Sequence, residues 1–264
     1  MVSGSSIPEA RALDASLVRP GASRPGPGIQ TGLFTRSVID YAAHRPGQLI
    51  SVLQFGCVTA GSDLVLAGPD ARRCQFAVTM LDEDNAMTRA ALDRQSDLSG
   101  VILGDLRAVP LTPRSVDVVH CCRLLERISD TEILLSRLVD ALRPGGLLLV
   151  RTADRQTAAG FLDRALPRPL RALAWRSLRP GEPGPYPAVY EPLTSARGLQ
   201  AFVTRHGLVI CGREATSALA GQGHPVIGSA RALIAAASRG RLSAAHDELG
   251  YVIRKPEDRF ARVL

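Results

Sequence analysis

The chain has 264 residues, of which 45% are hydrophobic and 22% are charged, and its formal net charge is +7. This length suffices for one large domain with a complete core, and no run approaches the ~18 apolar residues that indicate a transmembrane helix. Only 4% of the residues are aromatic and nearly all of the basic ones are arginine, so the charge does not indicate a nucleic-acid partner.

The N-terminal segment differs in composition from the rest of the chain. Residues 1–28 are rich in proline, glycine and serine and lack the apolar stretch of a secretory signal. We expect a flexible tail over residues 1–28 and one domain over residues 29–264. The five cysteines are an odd number without a CxxC pair, which is typical of a cytoplasmic protein with reduced thiols and does not predict a metal site.

Hydrophobic periodicity predicts alternating helices and strands over the first 150 residues. Apolar residues at helical spacing predict a helix over residues 33–43, and short runs of β-formers predict strands. Ser62 and Asp63 are good capping residues, so we expect a helix to begin there. The predicted strands are 49–55, 75–81, 101–103, 116–121 and 147–150, with further helices at 87–92 and after 129–130. Such alternation forms βαβ units and a parallel sheet with helices on both faces.

Residues 152–194 interrupt this alternation. They contain two clusters of prolines, and we interpret them as an inserted, partly helical lid or substrate segment. Residues 161–180 are basic and amphipathic, which fits either a helix that covers an active-site mouth with Trp175 on the core, or a surface for a membrane or an acidic partner. Tyr186 and Tyr190 either line an acceptor pocket or pack within a rigid loop. Helices are then predicted at 195–205 and 231–237, and strands at 208–210 and 249–253.

Three motifs between residues 49 and 151 resemble those of class I S-adenosylmethionine-dependent methyltransferases that act on small molecules. Residues 142–150 read LRPGGLLLV, similar to the family's LkPGG followed by its fifth strand. Residues 104–121 read GDLRAVPLTPRSVDVVHC, similar to GDaxxLPfpdxsFDvV, and residues 81–92 read LDEDNAMTRAAL, similar to vDlsxxMlxxA. The resemblance implies a doubly wound, Rossmann-like α/β sheet of seven strands in the order 3-2-1-4-5-7-6, with the last strand antiparallel.

The resemblance also implies a site for S-adenosylmethionine at the carboxyl ends of the central strands. Asp82 would accept hydrogen bonds from the ribose hydroxyls, because a carboxylate offers only acceptors. Asp105 would accept from the adenine amino group, and Leu106 would pack on the ring. Outside a cofactor site, both aspartates are ordinary turn or capping residues. The remaining predicted cofactor contacts are Gln54, Gly56, Cys57 and Cys122.

His120 is the candidate catalytic base, provided that its side chain faces the cleft. A histidine inside an apolar strand is more often a buried core residue, and both interpretations stay open. Arg127 stands where many relatives carry a histidine, and arginine does not act as an acid or base because it keeps its proton. Asp117 matches its motif and is expected to be structural.

The predicted cofactor loop departs from the family pattern. Residues 52–61 read VLQFGCVTAG, with Gln54 in place of an acid and with Val58 and Ala60 in place of glycines. Gln54 keeps an acceptor for the cofactor's ammonium group but loses the charge. A β-branched residue at positive φ is strained, so Val58 implies either strain or a loop of different shape. Two functions follow: methyl transfer to a small-molecule acceptor, or a methyltransferase fold without catalysis that acts as a binding subunit, with a protein partner or as a homodimer.

Overall fold

The computed structural model describes residues 32–60, 62–66, 71–92, 100–178, 184–217 and 225–257. Its helices are α1 (Leu33–Ala43), α2 (Cys57–Ala60), α3 (Ala86–Leu92), α4 (Thr131–Ala141), α5 (Ala158–Ala165), α6 (Arg168–Leu178), α7 (Ala196–Arg205) and α8 (Pro225–Ala237). Its strands are β1 (Leu49–Phe55), β2 (Gln75–Glu83), β3 (Val101–Gly104), β4 (Val116–Cys122), β5 (Leu142–Ala153), β6 (Val209–Thr216) and β7 (Glu248–Arg254). The predicted tail, residues 1–28, lies outside the described residues.

The strands form one seven-stranded sheet in the order β3-β2-β1-β4-β5-β7-β6. Strands β1 to β5 pair in parallel, whereas β7 is antiparallel to both β5 and β6. This confirms the doubly wound α/β sheet that the sequence predicts, including the antiparallel last strand. The central strands are covered on both faces, which explains why they appear in the sequence as nearly continuous apolar runs.

Helices on the two faces of the sheet enclose two apolar layers. On one face, Phe34 of α1 packs with Leu149 of β5. On the other face, Leu135 of α4 belongs to a larger layer that α7 also joins. Neighbouring residues of a strand point to opposite faces, so Val118 belongs to the first layer and Val119 to the second. The sheet is therefore the wall between the two halves of the core.

Lys255 closes the C-terminal end of α4. Its Nζ donates to the carbonyl oxygens of Val139 and Leu142, at 2.7 and 2.8 Å. These carbonyls lie at the C-terminal end of the helix, which carries partial negative charge, so a cation there is stabilising. The chain that leaves β7 is thereby joined to the end of α4.

The helix that the sequence predicts from Ser62 and Asp63 is wrong. Residues 62–66 are irregular, and the connection after β1 begins instead with the short helix α2. The Oγ of Ser62 accepts from the N–H of Leu64 at 3.2 Å. The Asp63 carboxylate contacts His120 and Arg151 instead of helix N–H groups. Ion pairs with distant strands therefore outweigh the local capping preference.

The inserted segment, residues 152–194, contains α5, α6 and irregular chain. Leu170 and Leu173 of α6 are 52% and 67% exposed, so the apolar face of this helix is only partly covered. Trp175 packs edge-to-face on Tyr186, with ring centroids 5.6 Å apart. The described contact of the Trp175 ring thus lies within the inserted segment, and its packing on the domain core stays a prediction. No described helix is both long enough and apolar enough to cross a membrane.

Asp117 holds β4 to its surroundings. Its side chain is almost fully buried, and Oδ2 accepts from the N–H of Ser51 at 2.9 Å and from Arg143 at 2.6 Å. Its Oδ1 accepts from the hydroxyl of Tyr41 at 3.3 Å. A buried carboxylate with three donors is fully used by these contacts. Asp117 is therefore a structural residue, as its position inside the strand predicts.

We predict that Asp117→Ala lowers the free energy of unfolding by about 2–4 kcal/mol, because it leaves buried donors on Ser51 and Tyr41 without an acceptor. Urea unfolding of the parent and the variant measures this loss. Asp84→Ala is the matched control, since Asp84 pairs with Arg89 at the surface. The control should change stability little, and equal losses in the two variants would contradict the role of Asp117.

Candidate functional site

The candidate site lies between β1 and β4, where the strand order reverses. In a sheet of this kind the helices leave the two strands in opposite directions and open a crevice at the carboxyl ends. Gln54 lies opposite His120, and Phe55 lies opposite Cys121. The fold thus brings the predicted residues of the first and fourth strands together: Gln54, Gly56, Cys57, His120 and Cys122.

Gly56 forms the turn at the end of β1. Its φ is +73°, a left-handed conformation that glycine adopts without steric cost. Its N–H donates to the carbonyl oxygen of Leu81 at 2.9 Å. A Cβ at this position would lie 3.1 Å from the Cβ of Leu124. Both the conformation and the close packing therefore require glycine here.

Val58 lies in α2, directly after this turn. Its side chain is buried, and a residue within a right-handed helix has negative φ. The alternative in which Val58 is strained at positive φ is therefore wrong. The second alternative, a loop of different shape, is confirmed: a short helix stands in place of a glycine-rich loop.

Gln54 carries a buried oxygen that no described residue satisfies. Its side chain is 4% exposed, and its Nε2 donates to the Oγ of Ser62 at 3.1 Å. The Oε1 atom has no hydrogen-bond partner among the described residues. An unpaired buried acceptor costs about 1–3 kcal/mol, so a donor from a ligand would be stabilised there. The ammonium group of S-adenosylmethionine would be such a donor, and this contact of Gln54 with the cofactor stays a prediction.

Asp82 is buried at the end of β2, directly after the residue that accepts from Gly56. Its Oδ1 accepts from the N–H of Glu83 at 2.8 Å. The structure thus places the Asp82 carboxylate beside the Gly56 turn, at the edge of the sheet where the ribose is expected. The ribose contact itself stays a prediction.

Asp105 lies farther from the centre of the site, in an exposed turn after β3. Its Oδ1 accepts from the N–H of Arg107 at 3.0 Å and from the Nε of Arg107 at 3.3 Å. Leu106 is buried and belongs to the larger apolar layer. The observed contacts are those of a turn residue, and the adenine roles of Asp105 and Leu106 stay predictions.

Arg127 connects the turn at Gly56 with the inserted segment. One guanidinium nitrogen donates to the carbonyl oxygen of Gly56 at 3.1 Å. The guanidinium also lies over the ring of Tyr186, 4.4 Å from its centroid. A hydrogen bond and a cation–π contact therefore join the two parts of the site. The sequence predicts only that Arg127 does not act as an acid or base. It does not predict that Arg127 bridges Gly56 and Tyr186.

His120 is fully enclosed by its neighbours. Its Nε2 lies 2.8 Å from Asp63 Oδ1, its Nδ1 lies 3.6 Å from Cys57 Sγ, and its ring packs edge-on against Phe34. Burial by itself lowers the pKa of His120, but the Asp63 carboxylate and the Cys122 thiol raise that pKa to about 9. Because the side chain has no exposed surface, its environment supports the interpretation as a buried core residue.

Cys57 and Cys122 are buried thiols beside this imidazole. Burial raises the pKa of Cys57. The hydrogen bond from Cys57 lowers the pKa of Cys122, burial opposes that shift, and the contact with His120 lowers the pKa further. One ligand atom each from Asp63, His120 and Cys122 can be chosen so that all three lie within 4.8 Å of one another. A carboxylate, an imidazole and a thiol at this spacing are a possible donor set for a metal ion.

Asp63 is a site residue that sequence analysis treated only as a helix cap. Burial would raise its pKa, but the close contacts and charges of His120 and Arg151 lower the pKa of Asp63 to about 2. Arg151 also pairs with Glu214 and lies 3.9 Å from Glu248. Asp63 is therefore the negative centre of a network that joins the loop after β1 to β4 and β5.

Glu126 is a second residue that sequence analysis missed. It lies after β4 with 8% of its surface exposed, and its carboxylate accepts from the Oγ1 of Thr152 at 2.9 Å. Its backbone carbonyl accepts from the N–H groups of Val189 and Tyr190 in the inserted segment. Burial raises the pKa of Glu126 to about 7. The sequence feature that could have identified Glu126 as a site residue is its position as an acid directly after Leu125 in an apolar stretch.

The strand order, the turn at Gly56 and the buried acid at the end of β2 define a Rossmann-like class I methyltransferase fold. Residues 30–210, more than half of the chain, match the family described as "Methyltransferase domain". The chain therefore belongs to the class I S-adenosylmethionine-dependent methyltransferases, which confirms the resemblance seen in its motifs.

Two curated relatives are similar to part of the chain. A demethylmenaquinone methyltransferase of Beutenbergia cavernae is 30% identical over 118 residues, 45% of this chain and 46% of that protein. A probable S-adenosylmethionine-dependent methyltransferase of Mycolicibacterium smegmatis is 34% identical over 145 residues, 54% and 53% of the two chains. The chain thus spans about half the length of these relatives. A solved S-adenosylmethionine-dependent methyltransferase from Mesorhizobium loti aligns with 84% of this chain and 98% of its own at 17% identity, with a TM-score of 0.49.

We predict that Gly56→Ala lowers the free energy of unfolding by more than Gly47→Ala. Gly47 has nearly the same backbone conformation, φ +76°, but nothing lies within 4 Å of a Cβ there. The control therefore measures the conformational cost alone, about 1–2 kcal/mol, and Gly56→Ala adds the clash with Leu124. Urea unfolding of both variants measures the difference. Equal losses would mean that Leu124 moves aside freely.

We predict that Glu126→Gln becomes more stable relative to the parent as the pH rises from 5 to 8. The pKa of Glu126 is raised from 4.5 to about 7, so the folded state binds this proton more tightly than the unfolded state. The stabilisation from Glu126 is complete below pH 4.5 and is lost as the pH rises through about 7. Glutamine resembles the protonated carboxyl group and removes this loss, on the order of 1–3 kcal/mol.

Thermal unfolding of the parent and Glu126→Gln at pH 5, 6, 7 and 8 measures the effect. Glu132→Gln is the control, because Glu132 is exposed on α4 and pairs with Arg205 at the surface. A difference between Glu126→Gln and the parent that stays constant over this pH range would contradict the raised pKa.

Proposed function

We propose that the protein transfers a methyl group from S-adenosylmethionine to a small-molecule acceptor. The observation that carries this proposal is the Oε1 atom of Gln54, a buried acceptor to which no residue in the described part of the chain donates, next to the left-handed turn at Gly56. Buried polar atoms are almost always paired in a complete structure. The amino group of the methionine moiety would pair with this oxygen, which supports a cofactor at the carboxyl ends of β1 and β4.

The other predicted cofactor residues are assigned from their positions relative to Gln54 and the turn at Gly56. Asp82 is beside the turn and would accept from the ribose hydroxyls. Asp105 and Leu106 follow β3, farther along the same edge, and would contact the adenine. Cys57 and Cys122 are buried beneath the turn. We therefore assign the two cysteines to packing below the cofactor and not to hydrogen bonds with it.

When bound, the cofactor would supply a methyl group on a positively charged sulfonium, with S-adenosylhomocysteine as the leaving group of an in-line displacement. The protein has to hold the acceptor in line and exclude water. Glu126 is the group that we assign to proton transfer, because it lies after β4 against the inserted segment and keeps 8% of its surface exposed. Burial raises the pKa of this carboxyl group to about 7, so that it is partly ionised at neutral pH. Its carboxylate would accept the proton of an acceptor hydroxyl. His120 has no exposed surface and is not assigned this role.

The acceptor class to test first is a phenolic or quinol hydroxyl. A relative with 30% identity over 45% of this chain is named a demethylmenaquinone methyltransferase. The apolar side chains Leu170 and Leu173 of the inserted segment are exposed, which is compatible with an apolar acceptor that passes over this surface. The Glu126 carboxylate would accept the proton of such a phenolic or quinol hydroxyl.

A binding or partner subunit without catalysis is the second candidate, and Arg127 is the observation that favours it. Its guanidinium is held beside the turn by the carbonyl oxygen of Gly56 and the ring of Tyr186. A fixed positive charge repels the sulfonium of S-adenosylmethionine. This second candidate requires that Arg127 keeps its contacts with Gly56 and Tyr186 and that the cofactor does not bind.

Calorimetric titration with S-adenosylhomocysteine separates the two candidates. For the enzyme we expect the parent to bind with a Kd on the order of 1–100 μM, about −5 to −8 kcal/mol. If the parent does not bind and Arg127→Ala does, the second candidate is favoured. If neither binds, the proposal of methyl transfer fails.

The same titration tests the individual contacts. We predict that Gln54→Met, which removes the unpaired oxygen at similar volume, weakens binding about three- to tenfold, and that Asp82→Asn weakens it about tenfold or more. Asp84→Asn is the control, because that carboxylate lies at the surface two residues along the chain. Unchanged affinity in Asp82→Asn would refute the ribose assignment.

A further inference from the structure

A compact group of ligand-type side chains lies near the turn at Gly56 and takes no part in the chemistry of the proposed methyl transfer. We call Asp63, His120 and Cys122 the Asp–His–Cys cluster. One ligand atom of each residue lies within 4.8 Å of the others. His120 and Cys122 are buried, whereas the side chain of Asp63 is 32% exposed. The cluster is therefore closed towards the core and open on the side of Asp63.

The contact between Asp63 and His120 is close but is not a well-formed hydrogen bond. The Nε2 of His120 and the Oδ1 of Asp63 are 2.8 Å apart. Both atoms are inaccessible to solvent, and neither makes a hydrogen bond of normal geometry with any described residue. Two buried polar atoms that face each other without a proper hydrogen bond are an unusual arrangement in a folded protein. A shared ligand between them would satisfy both.

We propose that the Asp–His–Cys cluster binds a zinc ion through Asp63 Oδ1, His120 Nε2 and Cys122 Sγ. Carboxylate oxygen, imidazole nitrogen and thiolate sulfur are the three protein donors that zinc takes, at about 2.0–2.3 Å. Two ligands at about 2.1 Å in a tetrahedral site lie roughly 3.4 Å apart, so Asp63 and His120 separate by about 0.6 Å on binding. The rotation of one side chain accommodates this shift.

The neighbours of the cluster already hold these ligands in place. Arg151 binds the other carboxylate oxygen, Oδ2, of Asp63 and leaves Oδ1 for the ion. The Sγ of Cys57 lies 3.6 Å from Nδ1 of His120, on the side of the ring away from Asp63. Contacts of this kind orient the ligands of metal sites. Cys57 is thus a neighbour of His120 and not a ligand.

Charge also permits a divalent ion at this position. On binding, the Cys122 thiol loses its proton and His120 coordinates as neutral imidazole, so protons are released to solvent. Asp63 and the Cys122 thiolate then supply two negative charges to the ion. Arg151 stays paired with Glu214. The three protein ligands leave one tetrahedral position for a solvent molecule, on the side where Asp63 is partly exposed.

The test is metal analysis of the full chain, purified without chelator, followed by replacement with cobalt. We expect about one zinc ion per chain, and a thiolate-to-cobalt charge-transfer band when Co²⁺ replaces it. Cys122→Ser should abolish the band, and Asp63→Asn should weaken Co²⁺ binding at least about tenfold. Cys121→Ser is the matched control. Cys121 is also buried and precedes Cys122 in β4, but its side chain belongs to the larger apolar layer. The cobalt charge-transfer band of Cys121→Ser should therefore equal that of the parent.

Several results would overturn the proposal. They are a parent without zinc that also gives no cobalt band, a band that survives Cys122→Ser, or a disulfide between Cys57 and Cys122 in thiol titration of the protein as purified. Loss of the band in Cys57→Ser with retention in Cys122→Ser would overturn the ligand assignment. Circular dichroism of each variant excludes loss of fold as the cause. The measurements need neither cofactor nor methyl transfer, so their outcome is independent of the proposed function.

Discussion

The parallel pairing of β1 with β4 is the constraint on which the site depends. It sets Gln54 opposite His120, and the turn at Gly56 follows at the level of Cys122. Both strands are covered on both faces, so polar side chains near their carboxyl ends are stable only when they are paired or when they bind a ligand. A shift of the register by one residue would turn each of these side chains to the opposite face. The same pairing therefore determines the cofactor crevice and the Asp–His–Cys cluster.

Most of the fold could be predicted from the sequence, because its strands are short apolar runs and the LRPGG and GDLRAVP motifs occur in the family's order. The error at Ser62 and Asp63 has a physical cause. Their capping preference is a local property, but Asp63 pairs with Arg151, which is 88 residues away in the chain. A local pattern carries no information about such a partner. Interactions of this kind decide the conformation of the loop after β1.

The difference between local sequence patterns and contacts with distant residues also explains which site residues could be predicted. Gln54 and Gly56 are recognisable because they lie at the end of an apolar strand and directly after it, where the turn requires glycine and places its neighbours at the carboxyl end of the sheet. Glu126 is not recognisable, because its raised pKa arises from burial by elements that fold over it from elsewhere. Val58 shows the reverse case. Its identity leaves two alternatives, strain at positive φ or a loop of different shape, and the chain forms a helix at that position.

Arg127 shows how a change at one position can be absorbed by its surroundings. An arginine in place of a histidine removes an acid or base, but its long side chain reaches the carbonyl of Gly56 and the ring of Tyr186. The turn and the inserted segment thereby share one side chain. Separation of the two parts would break both contacts together, so the turn at Gly56 and the inserted segment are mechanically coupled.

The cap that Lys255 places on α4 has a practical consequence for work with this protein. Lys255 is the only lysine in the sequence, and its ammonium group is bound to two helix carbonyls. Amine-reactive dyes, cross-linkers and sensor surfaces therefore have one side chain to attack, and acylation there removes the charge that closes the helix. Immobilisation or labelling through amines would perturb the end of α4, whereas Cys211 offers an exposed thiol on an outer strand for the same purpose.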